Sequence, residues 1–89
     1  MSISLMKEVW SSSLPLLDKA VALAMADHAN DDGLSIYPSQ DKLARKVGCN
    51  DRSVRRAIRR LKAMGILVEI GETKWQTKEY RMIAENLPK

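Results

Sequence analysis

From Lys42 to Lys62 the chain carries nine Lys or Arg (Lys42, Arg45, Lys46, Arg52, Arg55, Arg56, Arg59, Arg60 and Lys62) and one acid, Asp51. This segment has a charge of +8 in a chain whose total is +4, so the remainder carries −4. Arg52 to Lys62 contains no acid at all, whereas an ordinary solvated helix face interleaves Glu with Arg to form pairs one turn apart. A guanidinium is a planar fork that keeps its charge. It can bond two acceptors on a guanine edge or grip a phosphate. One concentrated basic element on a mildly acidic body points to a polyanionic partner.

A helix must hold these arginines on one side. At about 100° per residue, with Val54 as origin, Ala57, Ile58 and Leu61 fall within about 60° of it and form a stripe to be buried. Arg52, Arg56 and Arg59 fall near the opposite side, with Arg55 and Arg60 on the flanks. Asn50 suits the N-cap and Asp51 the positive end of the helix dipole. Gly65 ends the helix, predicted over about Asp51 to Ala63 or Met64. Upstream, Ser39 caps a helix over Gln40 to Val47 that turns Leu43, Ala44 and Val47 inward, and Gly48 stops it in left-handed backbone. Only Gly48-Cys49-Asn50 separates the two helices. So short a turn forces a large crossing angle, the geometry of a helix-turn-helix. A major groove is wide enough to admit the second helix.

The rest of the chain frames this pair. Ile3, Met6 and Trp10 recur at helical spacing with Leu5 and Val9 beside them, predicting a short helix over Ser2 to Trp10. Trp10 fits either a core flap or a dimer seam, and core is the expectation. Leu14, Leu17, Val21, Ala24 and Met25 mark a core helix from Pro15 to about Ala29, which ends in the turn cluster Asn30 to Gly33. Leu34 to Tyr37 suits a brief strand closed by Pro38. Ile66 to Ile70 predicts a strand, residues 71–77 a loop of hairpin length, and Lys78 to Ile83 a half-buried strand with Tyr80 and Met82 inward. Residues 84–89 are expected to be a tail or the start of a linker. The fold class is α+β, mainly α: a three-helix core, an extra short N-terminal helix and a C-terminal two-stranded wing, all in one domain.

Other functions find little support. No apolar run nears the ~20 residues of a membrane span, and the N-terminus lacks the features of a signal peptide. Cys49 is the single cysteine, so no internal disulfide is expected; it reads as a small buried hydrophobe, and the expected compartment is the cytoplasm (bacterial cytosol or nucleoid). No Ser/His/Asp set, phosphate-binding Gly loop or paired Cys is present, so no enzyme, metal or cofactor is implied. His28 is a lone histidine, structural or exposed. Asp27 and Asn30 to Gly33 lack the alternating oxygens and distal Glu of a calcium loop. RNA binding is disfavoured by the absence of stacking aromatics on a sheet face.

Tyr37-Pro38-Ser39-Gln40, Leu43-Ala44, Val47-Gly48, Arg52 to Ile58, Leu61 and Met64 to Leu67 together resemble a bacterial winged helix-turn-helix. Leu23-Ala24 with Ala26 to Gly33 narrows the resemblance to a helix-turn-helix family of phages and plasmids. That family includes the N-terminal domains of phage O-protein-type replication initiators and small phage regulators. The similarity spans about Val9 to Ile83. It departs from the pattern at Asn50, where Ser or Thr is commoner, and no catalytic or oligomerisation domain follows within the 89 residues. The resemblance implies duplex DNA as partner, with a homodimer or replication-protein partner left open. It implies base reading in the major groove by Arg52 and Arg56, with Ser53 and Arg55 beside them behind the Asn50 cap and Arg59 and Arg60 closer to the phosphate backbone, and a backbone-facing role for Ser39 and Gln40 at a helix N-terminus. Lys42, Arg45 and Lys46 would add charge from the flank. Residues 72–77 would form the wing tip, making Lys74, Trp75, Gln76 and Lys78 candidates for phosphate or minor-groove contact; Trp75 equally suits a cap over the hairpin. Two functions follow: sequence-specific binding of double-stranded DNA, as an origin-recognition module or transcriptional regulator, or a protein-interaction winged helix.

Overall fold

The computed structural model describes residues 2–29, 39–72 and 78–89. Four helices precede a hairpin: α1 (Ile3–Trp10), α2 (Leu16–His28), α3 (Gln40–Val47), α4 (Asp51–Ala63), β1 (Leu67–Glu72) and β2 (Lys78–Met82), followed by a 3₁₀ turn at Ala84–Asn86. The mainly helical winged helix-turn-helix expected from the sequence is the architecture observed. No helix among the described residues is long and apolar enough to cross a membrane.

Local chemistry sets the helix ends. The hydroxyl of Ser39 accepts the Lys42 amide at 3.2 Å, and the Asn50 side chain accepts the Ser53 amide at 2.8 Å. Each satisfies an amide that has no partner within its helix. Gly48 ends α3 at φ 86, a left-handed backbone that a side chain disfavours. The amides of Gly48 and Cys49 both return to the Ala44 carbonyl, at 2.8 and 3.0 Å, and this closes the turn between α3 and α4.

The core lies under α4. Val54, Ala57, Ile58 and Leu61 are buried and join Val21 and Met25 of α2, Leu43 and Ala44 of α3, and Ile66 and Leu67 at the root of the wing. β1 and β2 pair antiparallel, Leu67 with Met82 and Glu69 with Tyr80, and the register shifts between Glu69 and Gly71. Tyr80 and Met82 point inward, as the alternation predicts.

Four expectations need correcting. On α1 the buried residues are Leu5 and Val9, whereas Ile3 and Trp10 are 65% and 64% exposed. Trp10 is therefore no core flap. The Ser2 amide bonds to the Ala26 carbonyl at 3.2 Å, and the helix packs on α2 and the 3₁₀ turn. The stripe with one-turn spacing through residues 5 and 9 faces inward. Val47 and Cys49 are only half-buried at the edge of the core. Residues 84–89 do not trail away: Leu87 is buried, the Pro88 carbonyl accepts the Ser13 amide at 2.9 Å, and Asn86 Nδ2 donates to the Gly65 carbonyl at 2.8 Å. β1 spans Leu67–Glu72 rather than 66–70, because the pairing runs on through Gly71 with Glu79 and Glu72 with Lys78; Ile66, just before it, is buried and its carbonyl accepts the Ile83 amide. The expected turn and strand at residues 30–37 lie outside the described residues.

Candidate nucleic-acid interface

α4 presents two chemically distinct sides. Its apolar stripe is buried, and Arg52, Arg55, Arg56 and Arg59 are all exposed. Among the described residues, no ion pair engages these four arginines. With respect to the described residues, the face is a row of free guanidinium groups on a helix held from behind by the core.

The neighbouring cations are different, because acids partner most of them. Arg45 pairs with Asp41 one turn earlier on α3, at 2.8 Å, with both side chains well exposed. Lys46 pairs with Asp27 near the end of α2, and this hydrogen bond holds the Asp27 carboxyl below its ordinary value. Glu69 on β1 lies 3.4 Å from Lys62 and 3.5 Å from Lys78. Partial desolvation would raise the Glu69 carboxyl, but the two lysines together outweigh it and hold it below its usual range. Lys42, near the start of α3, is exposed and has no ion pair among the described residues.

Arg60 departs most from expectation. On the helical wheel it flanks the arginine face, but its guanidinium turns back onto Asp18 of α2. Nε lies 2.9 and 3.0 Å from the two carboxylate oxygens, and Nη2 lies 2.5 Å from Oδ1. The hydrogen bonds from Arg60 to Asp18 raise the guanidinium further above its already high range. Asp18 is 3% exposed, so its charge is held off water and needs this partner. Asp18, Asp41 and Glu69 are acids of these pairs that the sequence did not single out. The signal for Asp18 was available: an acid in the first turn of a helix whose middle, residues 20–26, is wholly apolar.

Of the remaining site residues, Gln40 and Asn50 are exposed, and Ser39 and Ser53 are half-buried. The side-chain oxygens of Ser39 and Asn50 are used in capping α3 and α4. Lys74, Trp75 and Gln76 lie outside the described residues, while Glu72 and Lys78 face each other where the hairpin strands leave them.

Residues 13–67 match a protein family described as a helix-turn-helix domain. This chain belongs to that family. Within the matched residues α3 and α4 are the two helices of the motif and α2 packs against both; the β1–β2 hairpin begins where the matched stretch ends, at Leu67. The chain is also 38% identical over 71 residues to Protein YmfN of Escherichia coli K12; the match covers 75% of this chain and 15% of that protein. No solved structure matches. Membership of the helix-turn-helix family and the free arginine face of α4 point the same way, toward DNA.

Proposed function

We propose that this helix-turn-helix domain binds double-stranded DNA sequence-specifically, with α4 as the recognition helix in the major groove. The observation that carries the reading is the face of Arg52, Arg55, Arg56 and Arg59, unpaired among the described residues and set opposite a fully anchored stripe. An arginine without an acid partner keeps its whole charge for a polyanion. The N-terminal half of a recognition helix lies deepest in the groove. Arg52 and Arg56 therefore read base edges, while Arg55, Arg59 and Lys42 meet phosphates. Ser39 and Gln40 offer the N-terminus of α3 to the backbone. Arg45, Lys46 and Lys78 contribute less, because Asp41, Asp27 and Glu69 already share their charge.

The biological role follows from the resemblance to phage and plasmid helix-turn-helix proteins: recognition of a replication origin or regulation of transcription, in the bacterial cytoplasm. The role is binding alone and uses no catalytic step, metal or cofactor. A second reading, a protein-docking winged helix, is favoured by the exposed Ile3 and Trp10 on α1. The deciding experiment is selection of bound duplexes from a random pool at stated salt. A recurrent motif of several base pairs is expected. Unenriched pools would contradict sequence-specific binding.

A further inference from the structure

We infer that Asp18 and Arg60 form a positioning clamp that sets how the recognition helix lies on α2, and that Arg60 grips no phosphate. This rests on the DNA-binding reading above. It names a residue that acts through α4 rather than on the nucleic acid.

The two residues are 42 positions apart in sequence and join the first turn of α2 to the last turns of α4. Three hydrogen bonds connect them, from both Nε and Nη2 of Arg60. A fork engaged on two edges restrains direction as well as distance. The other buried residues of α2 and α4 are apolar, and Ala22, Ala26 and Ala57 are among them. Apolar packing is non-directional, and small side chains define the roll and axial register of a helix only weakly. The clamp supplies that definition. Arg56 and Arg52 lie one and two turns of helix before Arg60, so a change in roll at the clamp displaces the tips of both.

A buried carboxylate left without its partner is strongly unfavourable, which also ties Arg60 in place. Moving its guanidinium to a phosphate would abandon Asp18 at 3% exposure. Arg59, its neighbour in sequence, has no such commitment among the described residues.

The test measures affinity for the selected duplex and for a scrambled duplex over a range of salt, well below the Tm of every protein used. The variants are Arg60→Gln, Arg60→Lys, Asp18→Asn and, for reference, Arg59→Gln. Arg60→Gln is expected to keep the salt slope of the unmodified chain, while Arg59→Gln makes it shallower by about 0.9, the value of one phosphate. Asp18→Asn releases the charge of Arg60 yet is expected to weaken binding. Asp18→Asn and Arg60→Gln are each expected to lower the ratio of selected to scrambled affinity by about tenfold, the scale of one misaligned two-pronged base contact. Arg60→Lys keeps the charge but lacks the fork, and should not restore that ratio.

Three results would overturn the clamp: a slope shallower by about one unit in Arg60→Gln, tighter binding by Asp18→Asn, or a lowered Tm with an unchanged affinity ratio. The first two make Arg60 a phosphate ligand, and the third leaves the pair with a purely structural role. A flat salt response of the unmodified chain would instead overturn the DNA-binding reading itself, and is seen without any variant.

Discussion

The side-chain oxygen of Asn50 accepts the backbone amide of Ser53 at 2.8 Å and closes the first turn of α4 around Arg52. The bond lies within three residues, and it fixes the end of the helix proposed to enter the groove. Asn50→Ala should cost about 1 kcal/mol, as loss of an N-cap does, and Asn50→Ser only a few tenths. Urea denaturation of the three proteins checks this. Equal midpoints would mean that the core alone holds the first turn.

Leu61 is fully buried beneath α4, whereas Arg59, two residues earlier, is exposed. Leu61→Ala should destabilise the fold by about 2–5 kcal/mol, through lost burial and the cavity left behind. Arg59→Ala should leave stability within about 0.5 kcal/mol. Thermal melts of both variants measure the difference, and a reversed order would place the wrong face of α4 inside.

Features of the fold governed by near neighbours were legible in the sequence. The bounds of α3 follow from the Ser39 cap and the left-handed Gly48, and the stripe Val54, Ala57, Ile58, Leu61 is fixed by helical spacing alone. The hidden features depend on distant partners. On α1 the stripes Ile3–Trp10 and Leu5–Val9 are comparably apolar, and packing against α2 and residues 84–89 decides between them. Leu87 reads as the end of a polar tail until its place on the core is seen. The site divides in the same way. The pair Asp41–Arg45 lies one turn apart on α3 and can be found by inspection. Asp18–Arg60, Asp27–Lys46 and the Glu69 pairs require the fold, so the sequence alone leaves Arg60, Lys46, Lys62 and Lys78 looking as free as the arginines of the α4 face.

Acidification should weaken the fold near the contact of α2 with α3. Partial desolvation at His28, with Lys46 adding to it, pushes its pKa below the ordinary 6.5. The unfolded chain then binds the proton first, so stability falls as pH drops from 6.5 toward the folded-state value. Asp27 is held below 3.8 by its hydrogen bond from Lys46; its contribution is present above 3.8 and is lost as pH falls through the folded-state value. Stability profiles between pH 3 and 8 should show His28→Gln flattening chiefly the upper limb and Lys46→Met chiefly the lower, since each group also acts weakly on the other's titration. An upper limb unchanged by His28→Gln would contradict the assignment.

Arg52 and Arg56 should carry base preference. Replacing either with Ala should cost about 1–3 kcal/mol on the selected site and relax preference at a position or two. Lys at either position should restore charge without full selectivity, since it lacks the fork. Site-selection profiles of Arg52→Ala, Arg52→Lys and Arg56→Ala provide the comparison. If all three lower affinity but retain the parental base preference, α4 is an electrostatic anchor and specificity lies in the wing or in DNA shape.

The most direct test of the central claim is the salt dependence of duplex affinity for the unmodified chain. Free arginines on α4 together with Lys42 should release counterions on binding, so log affinity should fall linearly with log salt, at about −0.9 for each phosphate neutralised. Arg55→Ala, Arg59→Ala and Lys42→Ala should each make that slope shallower by about one such step, and Arg45→Ala, whose charge Asp41 already shares, by less. A duplex affinity that does not change with salt would contradict the account.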